Sequence, residues 1–327
     1  MSRPNKILVT GAGGFIGSHL AEELVRQGEQ VRAFIHYNSA GRRGWLEESP
    51  FASEIDFIAG DIRDFDAVTH AMRGCTLVFH LAALVGIPYS YVSPQAYLRT
   101  NIDGAFNILE AARATVAEKV VLTSTSEIYG TAREIPMNEL HPVDCLSPYA
   151  ASKAAADQLA LSYFRSFGLP VTIVRPFNTY GPRQSLRAVI PTIIAQLLSG
   201  DGAVELGNVH PRRDFTFVAD TVAGFRAAAS SDNLIGEVVH IGSGSAVSVG
   251  ELTGHLSRLT GRPLTLKYGE ARVRPPASEV ACLVCDNRKL RAATGWEPKT
   301  PLEEGLRQTI DWLEPRLERL RASEYSI

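Results

Sequence analysis

Apolar residues in the first half of the chain come in short unbroken runs separated by longer amphipathic stretches. The runs Ile7–Thr10, Gln30–Ile35, Ile55–Ala59, Leu77–Leu81, Val120–Thr123 and Val171–Val174 have the length of strands. Between them, Ile16–Arg26, Phe65–Arg73, Ala96–Thr115 and Tyr149–Phe167 show the apolar recurrence of helices. Strands with so little polar alternation are buried on both faces, so the pattern predicts an α/β fold built on a doubly wound parallel sheet. Past Arg175 the pattern loosens into a Pro-, Gly- and Arg-rich stretch. It then predicts a helix over Val189–Leu198, a strand over Val238–Ile241 and a closing helix from Leu302. No low-complexity linker intervenes, so a smaller α/β domain (176–327) is expected to pack on the first (1–175), with a ligand cleft between them. Strand segments near 212–245 are candidates to rejoin the first domain.

At 327 residues and 45% hydrophobic, the chain is long enough for a full core. Lys and Arg number 33 against 35 Asp and Glu, a formal charge of −2, and no block of like charge marks a nucleic-acid or membrane surface. The first residues run straight into an apolar strand without the pattern of a secretory leader. No apolar run approaches the roughly 20 residues that cross a bilayer, and the expectation is a cytoplasmic protein. Of the four cysteines, Cys282 and Cys285 form a C-x-x-C without a second pair or a His cluster, so a structural role is expected and no metal site.

Chemistry concentrates at strand ends. Gly11, Gly14 and Gly17 follow the first strand and open the first helix. That spacing suits a tight turn, close backbone approach to a pyrophosphate at the helix N-terminus, and close helix–strand packing. Asp61 ends the third strand, where a carboxylate can hold an adenine amino group, and His80-Leu81-Ala82-Ala83 ends the fourth with small residues suited to a cofactor wall. The second strand ends in Ile35 instead of the acid that favours NAD, with Arg42 and Arg43 just beyond, so NAD and NADP both stay open.

Tyr149 and Lys153 lie one helical turn apart on one face. A cation so placed favours phenolate, which would bring Tyr149 toward general-base chemistry near neutral pH. TSTSEIYG, residues 123–130, follows the fifth strand with Thr125, Ser126 and Glu127 in succession.

The ordered set GAGGFIG, GDIRD, FHLAA, TSTSEIYG, YAASK, RPFNTYGPRQ, RRDFTFV and GWEPKT resembles, over essentially the whole chain, the extended short-chain dehydrogenase/reductase family of nucleotide-sugar epimerases and dehydratases. The resemblance implies a Rossmann domain with NAD or NADP, a C-terminal domain holding a nucleoside-diphosphate sugar, and a catalytic Thr125, Tyr149 and Lys153. It also implies a homodimer formed through the helices near 96–115 and 149–167. The expected cofactor contacts are Gly11, Gly14, Phe15, Ile16, Gly17, His36, Asn38, Arg42, Asp61, Ile62, Leu81, Ala82 and Ala83, with Tyr149 and Lys153. The expected substrate contacts are Ser90, Thr125, Asn178, Val189, Arg213 and Arg274; Asn178 and the two arginines resemble diphosphate ligands, and a guanidinium fork suits that group. The stretch Gly86–Tyr91 is expected to be a loop facing the sugar with hydroxyl donors, and Asp220 to serve domain packing.

Within the family, a 4-epimerase needs no carboxylate at 127. A 4,6-dehydratase needs a base for the C5 proton, and T-S-E resembles the triplet of GDP-mannose 4,6-dehydratases. The middle residue, Asp in dTDP-glucose enzymes, is Ser126 here, so the acid for water loss is missing from its usual place. Tyr37-Asn38-Ser39, Gly44-Trp45-Leu46 and Ser278-Glu279-Val280 look like UDP-N-acetylglucosamine 4,6-dehydratases of legionaminic-type pathways. UDP-glucuronate decarboxylases carry a similar triplet, but Cys145-Leu-Ser-Pro148 stands where their Arg-containing segment is expected. The alternatives are therefore decarboxylation, 4-epimerisation, and a nucleotide-binding regulatory protein without chemistry.

Overall fold

The computed structural model describes residues 6–200, 202–269 and 275–323. The first half forms β1 (Lys6–Thr10), β2 (Gln30–His36), β3 (Asp56–Gly60), β4 (Cys75–His80), β5 (Lys119–Thr123) and β6 (Val171–Pro176). The second half adds β7 (Asn178–Tyr180), β8 (Ala203–Leu206), β9 (Arg212–Phe217), β10 (Val238–Ile241), β11 (Ala246–Ser248), β12 (Thr265–Tyr268) and β13 (Cys282–Leu283). One seven-stranded sheet runs β10-β6-β5-β4-β1-β2-β3 with every pairing parallel. Neighbouring residues of its strands enter opposite cores: Leu8, Val120 and Leu122 pack on one face, Val9 and Val121 on the other. That is why these strands read as continuous apolar runs. Strand order reverses between β1 and β4, so the loops leaving them diverge and open a crevice at the carboxyl edge.

The helices are α1 (Phe15–Arg26), α2 (Phe65–Met72), α3 (Ile87–Val92), α4 (Pro94–Tyr97), α5 (Gly104–Thr115), α6 (Pro148–Phe167), α7 (Val189–Ser199), α8 (Val218–Ser230), α9 (Val249–Thr260), α10 (Arg288–Thr294), α11 (Leu302–Leu313) and α12 (Leu317–Ser323). Among the described residues no helix is long and apolar enough to cross a membrane.

Three details differ from the expectations. Residues 87–92 form α3 rather than a loop. The helix expected over Ala96–Thr115 contains a π-helical stretch, Leu98–Asp103, between α4 and α5. The stretch carries buried Asn101, whose carboxamide accepts from Leu84 N (2.9 Å) and donates to Leu84 O (3.0 Å) and Ser152 Oγ (2.9 Å). Such insertions re-aim a helical side chain; here one clamps the segment leaving β4. Of the stretch near 212–245, Val238–Ile241 joins the main sheet as β10, whereas Arg212–Phe217 lies in a second sheet ordered β11-β9-β13, with β7 paired to β9.

Two buried aspartates hold the second half in place. Asp214 accepts from Ser243 N (2.8 Å), Gly244 N (2.8 Å) and Cys285 N (3.0 Å), tying β9 to the chain leaving β10. Asp220 at the start of α8 accepts from Lys299 N (3.0 Å) and Thr300 N (2.9 Å), while Trp296 Nε1 donates to its carbonyl (3.2 Å). Farther on, Trp312 of α11 meets Trp45 edge-on, centroids 5.2 Å apart, and Arg319 of α12 pairs with Glu48 (2.7 Å). Trp45 N in turn donates to Gly13 O (3.0 Å), so the last helices press residues 44–48 onto the glycine loop.

Asp220→Ala strands two backbone donors near the Trp296 anchor. It is expected to cost about 2–4 kcal/mol, read as a lower urea midpoint at unchanged slope.

Candidate active site

Gly11 adopts φ +67°, a conformation that L side chains rarely take, and a Cβ there would stand 2.8 Å from Ala82 N. A Cβ on Gly17 would meet Gly11 O at 2.2 Å, so α1 reaches its seat against the turn only without a side chain at 17. Gly14 N-caps α1 with no side-chain cap and no acid in the first turn, leaving the amides of Phe15, Ile16 and Gly17 to face an anion. Leu81, Ala82 and Ala83 line the opposite wall, held where Thr10 Oγ1 accepts from Ala82 N (3.2 Å). This cradle fits a dinucleotide pyrophosphate.

The residues at the ends of β2 and β3 are largely engaged with one another. Asn38 clasps its own turn, donating to His36 O (3.2 Å) and Arg42 O (2.9 Å) and accepting from Arg42 N (2.9 Å). The Arg42 side chain stays exposed. Arg63 grips Asp61 through Nε (3.0 Å to each oxygen) and NH2 (2.5 Å), holding its carboxyl below the usual range, and His36 Nε2 lies 3.9 Å away. Asp61 can therefore meet an adenine only with Arg63 sharing it. Ile62 is buried, its carbonyl accepting from Asn107 Nδ2 (2.9 Å).

Three segments converge beside this cradle: the turn after β5, α6, and the chain running from Arg175 on β6 to Asn178. Thr125 N-caps the short turn Ser126–Tyr129, its Oγ1 accepting from Glu127 N at 3.2 Å, and its hydroxyl also bonds the Tyr149 phenol. Ser147 caps α6 by accepting from Ala150 N (3.1 Å), with Pro148 pre-set at the first helical position. Tyr149 and Lys153 follow on the inner face, 7% and 3% exposed. Ser126 is buried, while Glu127 is half-exposed, and its charge reaches the Tyr149 phenol.

The expected lowering of the phenol is not what the structure gives. Burial pushes Tyr149 well up, with Glu127 adding to the rise against the Thr125 hydrogen bond. Burial also draws Lys153 down to about 8. Burial thus moves both groups toward their neutral forms, because the loss of water outweighs the spacing of the pair, although Lys153 stays largely an ammonium at neutral pH. His80, beside Lys153 and bonded to Thr10 Oγ1 (2.8 Å), is pushed down to about 3 by burial and stays neutral.

On the far side of the crevice, Asn178 opens β7 with a buried Oδ1 that has no hydrogen-bond partner among the described residues. Arg213 is buried on β9, its NH2 3.8 Å from Glu279. Val189 begins α7, whose N-terminus likewise lacks a side-chain cap. Arg274 lies outside the described residues. Ser90 is not a free donor: it is buried and its hydroxyl donates to Ile87 O (2.7 Å). The hydroxyl that reaches across is that of Tyr91, 2.5 Å from Ser278 Oγ, which donates to Leu146 O (2.7 Å). Sequence reasoning missed Asn101 and Asp157; the second was visible only as an acid one turn beyond Lys153. Among the described residues no cluster of His, Cys, Asp and Glu is placed to hold a metal ion.

The family described as GDP-mannose 4,6 dehydratase matches residues 8–309. A dTDP-glucose 4,6-dehydratase of Streptomyces antibioticus is 34% identical over 313 residues, spanning 94% of this chain and 91% of its own. A UDP-N-acetyl-alpha-D-glucosaminuronate decarboxylase of Bacillus cytotoxicus is also 34% identical, over 318 residues, at 94% and 97%. Among solved structures, the UDP-glucose 4-epimerase of Thermus thermophilus in complex with NAD shares the fold at a TM-score of 0.83 and 30% identity, covering 98% of this chain and 100% of that one.

Lys153 binds its proton less tightly folded, at about 8, than unfolded, at 10.5, so its penalty on stability is complete below pH 8 and fades as pH rises toward 10.5. Relative to Lys153→Met, the wild-type chain should gain about 3 kcal/mol across that window in urea titrations. A flat difference would mean that the ammonium is not desolvated.

Proposed function

The chain belongs to the extended short-chain dehydrogenase/reductase family of NAD-dependent epimerases and dehydratases, and on that premise we propose that it is a nucleoside-diphosphate-hexose 4,6-dehydratase. It is an NAD(P)-dependent enzyme of nucleotide-sugar processing; the finer reading takes UDP-N-acetylglucosamine or a related sugar to its 4-keto-6-deoxy product. The observation that carries it is Glu127, whose carboxylate shares the mouth of the crevice with the Tyr149 phenol.

The cofactor would be held by the Gly11–Gly17 turn, the wall at 81–83, and Tyr149 with Lys153. When bound, it supplies the hydride acceptor for C4 and the hydride donor for C6. Tyr149 would take the proton of the C4 hydroxyl as its phenolate, the form that the Lys153 ammonium beside it favours against burial, while Thr125 hydrogen-bonds the same oxygen. The resulting 4-ketone acidifies C5–H, and Glu127 removes that proton. With Ser126 a poor acid, Glu127 returns the proton to the departing 6-oxygen, which leaves as water; hydride would then return to C6, and the proton that Tyr149 took from the C4 hydroxyl would balance the one gained at C5. Asn178 and Arg213 suit the diphosphate, where Arg213 would exchange its distant Glu279 neighbour for phosphate oxygens.

A homodimer fits the exposed apolar side chains Val92, Leu98, Phe106 and Phe167. A second copy is the occupant that the helical face around α5 and α6 favours. Phe106→Asp is expected to shift sedimentation from dimer toward monomer, and a wild-type monomer would overturn this assignment.

The deciding measurement incubates the enzyme with UDP-N-acetylglucosamine, other nucleoside-diphosphate hexoses and UDP-glucuronate, then reads product masses. Loss of water supports the proposal; loss of carbon dioxide or an unchanged mass replaces it with decarboxylation or epimerisation. Glu127→Gln should slow water loss by about 10²–10⁴-fold while C4 oxidation remains visible as reduced-cofactor absorbance. Wild-type turnover in that variant would remove the role given to Glu127.

A further inference from the structure

One buried carboxylate touches all three segments that meet at the site. Asp157, fully buried on α6, accepts from Ser124 Oγ (2.8 Å) through Oδ2, and the same oxygen takes Arg175 Nε (3.0 Å) and NH2 (2.9 Å). Ser124 directly precedes Thr125, and Arg175 on β6 leads into Asn178. Tyr149, Lys153 and Asp157 recur every fourth residue and so stack along one face of α6. The second carboxylate oxygen, Oδ1, is buried with no hydrogen-bond partner among the described residues. Arg175 is held from behind: NH1 donates to Tyr129 Oη (2.6 Å), and that hydroxyl lies 2.6 Å from His240 Nε2.

We infer that Asp157 is a positioning residue of this site: it is the counter-ion of the buried Lys153 ammonium, and Ser124 and Arg175 fix where its charge sits. The inference rests on the catalytic reading of Tyr149 and Lys153 above. An ammonium buried without a nearby anion gives up its proton, and the groups around Lys153 leave Asp157 as the anion that opposes this. His80, facing it from β4, is neutral, and Tyr149 on its own helix is an un-ionised phenol. Glu127, Tyr97 and Thr125 face Tyr149. Asp157 would itself be driven neutral by burial, and Arg175, Ser124 and Lys153 oppose that. Charge is thus handed from Arg175 to Asp157 to Lys153, each member keeping the next ionised.

The sign of the test follows. Asp157→Asn removes a negative charge, so Lys153 should release its proton at lower pH; the Tyr149 phenol, relieved of the same charge, should also ionise at lower pH. With ¹³Cε-lysine the chain gives six lysine signals, and Lys153, assigned through Lys153→Arg, reports its own titration without turnover. Expected is a downward move of about one pH unit or more in Asp157→Asn, largely restored in Asp157→Glu. The kcat–pH profile of the cofactor-loaded enzyme should move both limbs to lower pH. An unmoved Lys153 titration overturns the inference. A shifted titration beside unmoved kcat limbs keeps the electrostatic coupling of Asp157 to Lys153 but overturns the catalytic reading of Lys153, and with it the positioning role. If the single variant does not fold because Arg175 is left unpaired, Asp157→Asn/Arg175→Gln removes that stranded guanidinium, and a downward shift of Lys153, smaller because a cation is lost with the anion, is still required of it.

Discussion

Burying an ammonium and a carboxylate along one face of α6 constrains everything around them. Neither charge is stable in that position without partners. Asp157 therefore needs Arg175 and Ser124, Arg175 needs the Tyr129 hydroxyl, and Tyr129 needs His240 on the edge strand of the main sheet. A helix, a strand, a turn and a late-arriving strand are held in one register by the demand that buried charge be answered. Thr125 and Glu127 inherit their positions from that register, because their turn begins one residue after Ser124.

The two halves of the site are built by different physics. On the nucleotide side the shape comes from missing atoms: α1 seats against its turn because Gly17 has no side chain to meet Gly11 O. On the reaction side it comes from paired polar groups, with Asn101 clamping the chain after β4 and Thr10 holding His80 beside Lys153. Steric absence tolerates no substitution and asks only that a neighbouring backbone, such as that of Ala82, come close. A polar network depends on partners scattered from residue 10 to residue 240.

That contrast decides what could be read from the sequence. The sheet, α1 and the glycine turn were legible because each is a local pattern: apolar runs, a helical period, three glycines at fixed spacing. The pairing of Tyr149 with Lys153 was legible for the same reason. Their proton affinities were not, since burial is set by the packing of the folded chain, such as Ile87 and Tyr97 around Tyr149, rather than by spacing along α6. Ser90 read as a free donor because nothing in Gly86–Tyr91 shows that it coils into a helix and bonds its own backbone. That Arg63, two residues on, shares the Asp61 carboxylate was not legible, because only the folded turn brings the guanidinium back onto it. The π-helical stretch around Asn101 has no periodic signature at all.

The contact between segments so distant along the chain bears on how the protein is made. β10 joins the main sheet only when residue 241 is available, and the clamp of α11 and α12 on residues 44–48 comes from a segment synthesised later still. A nascent chain emerging from the ribosome therefore carries its glycine turn for most of translation without the Trp45–Trp312 contact that presses the neighbouring strap onto it. Pairings this distant along the chain close late and slowly. Vectorial synthesis thus delivers a glycine cradle whose outer wall is fastened only after the second half of the sheet-forming chain has been extruded.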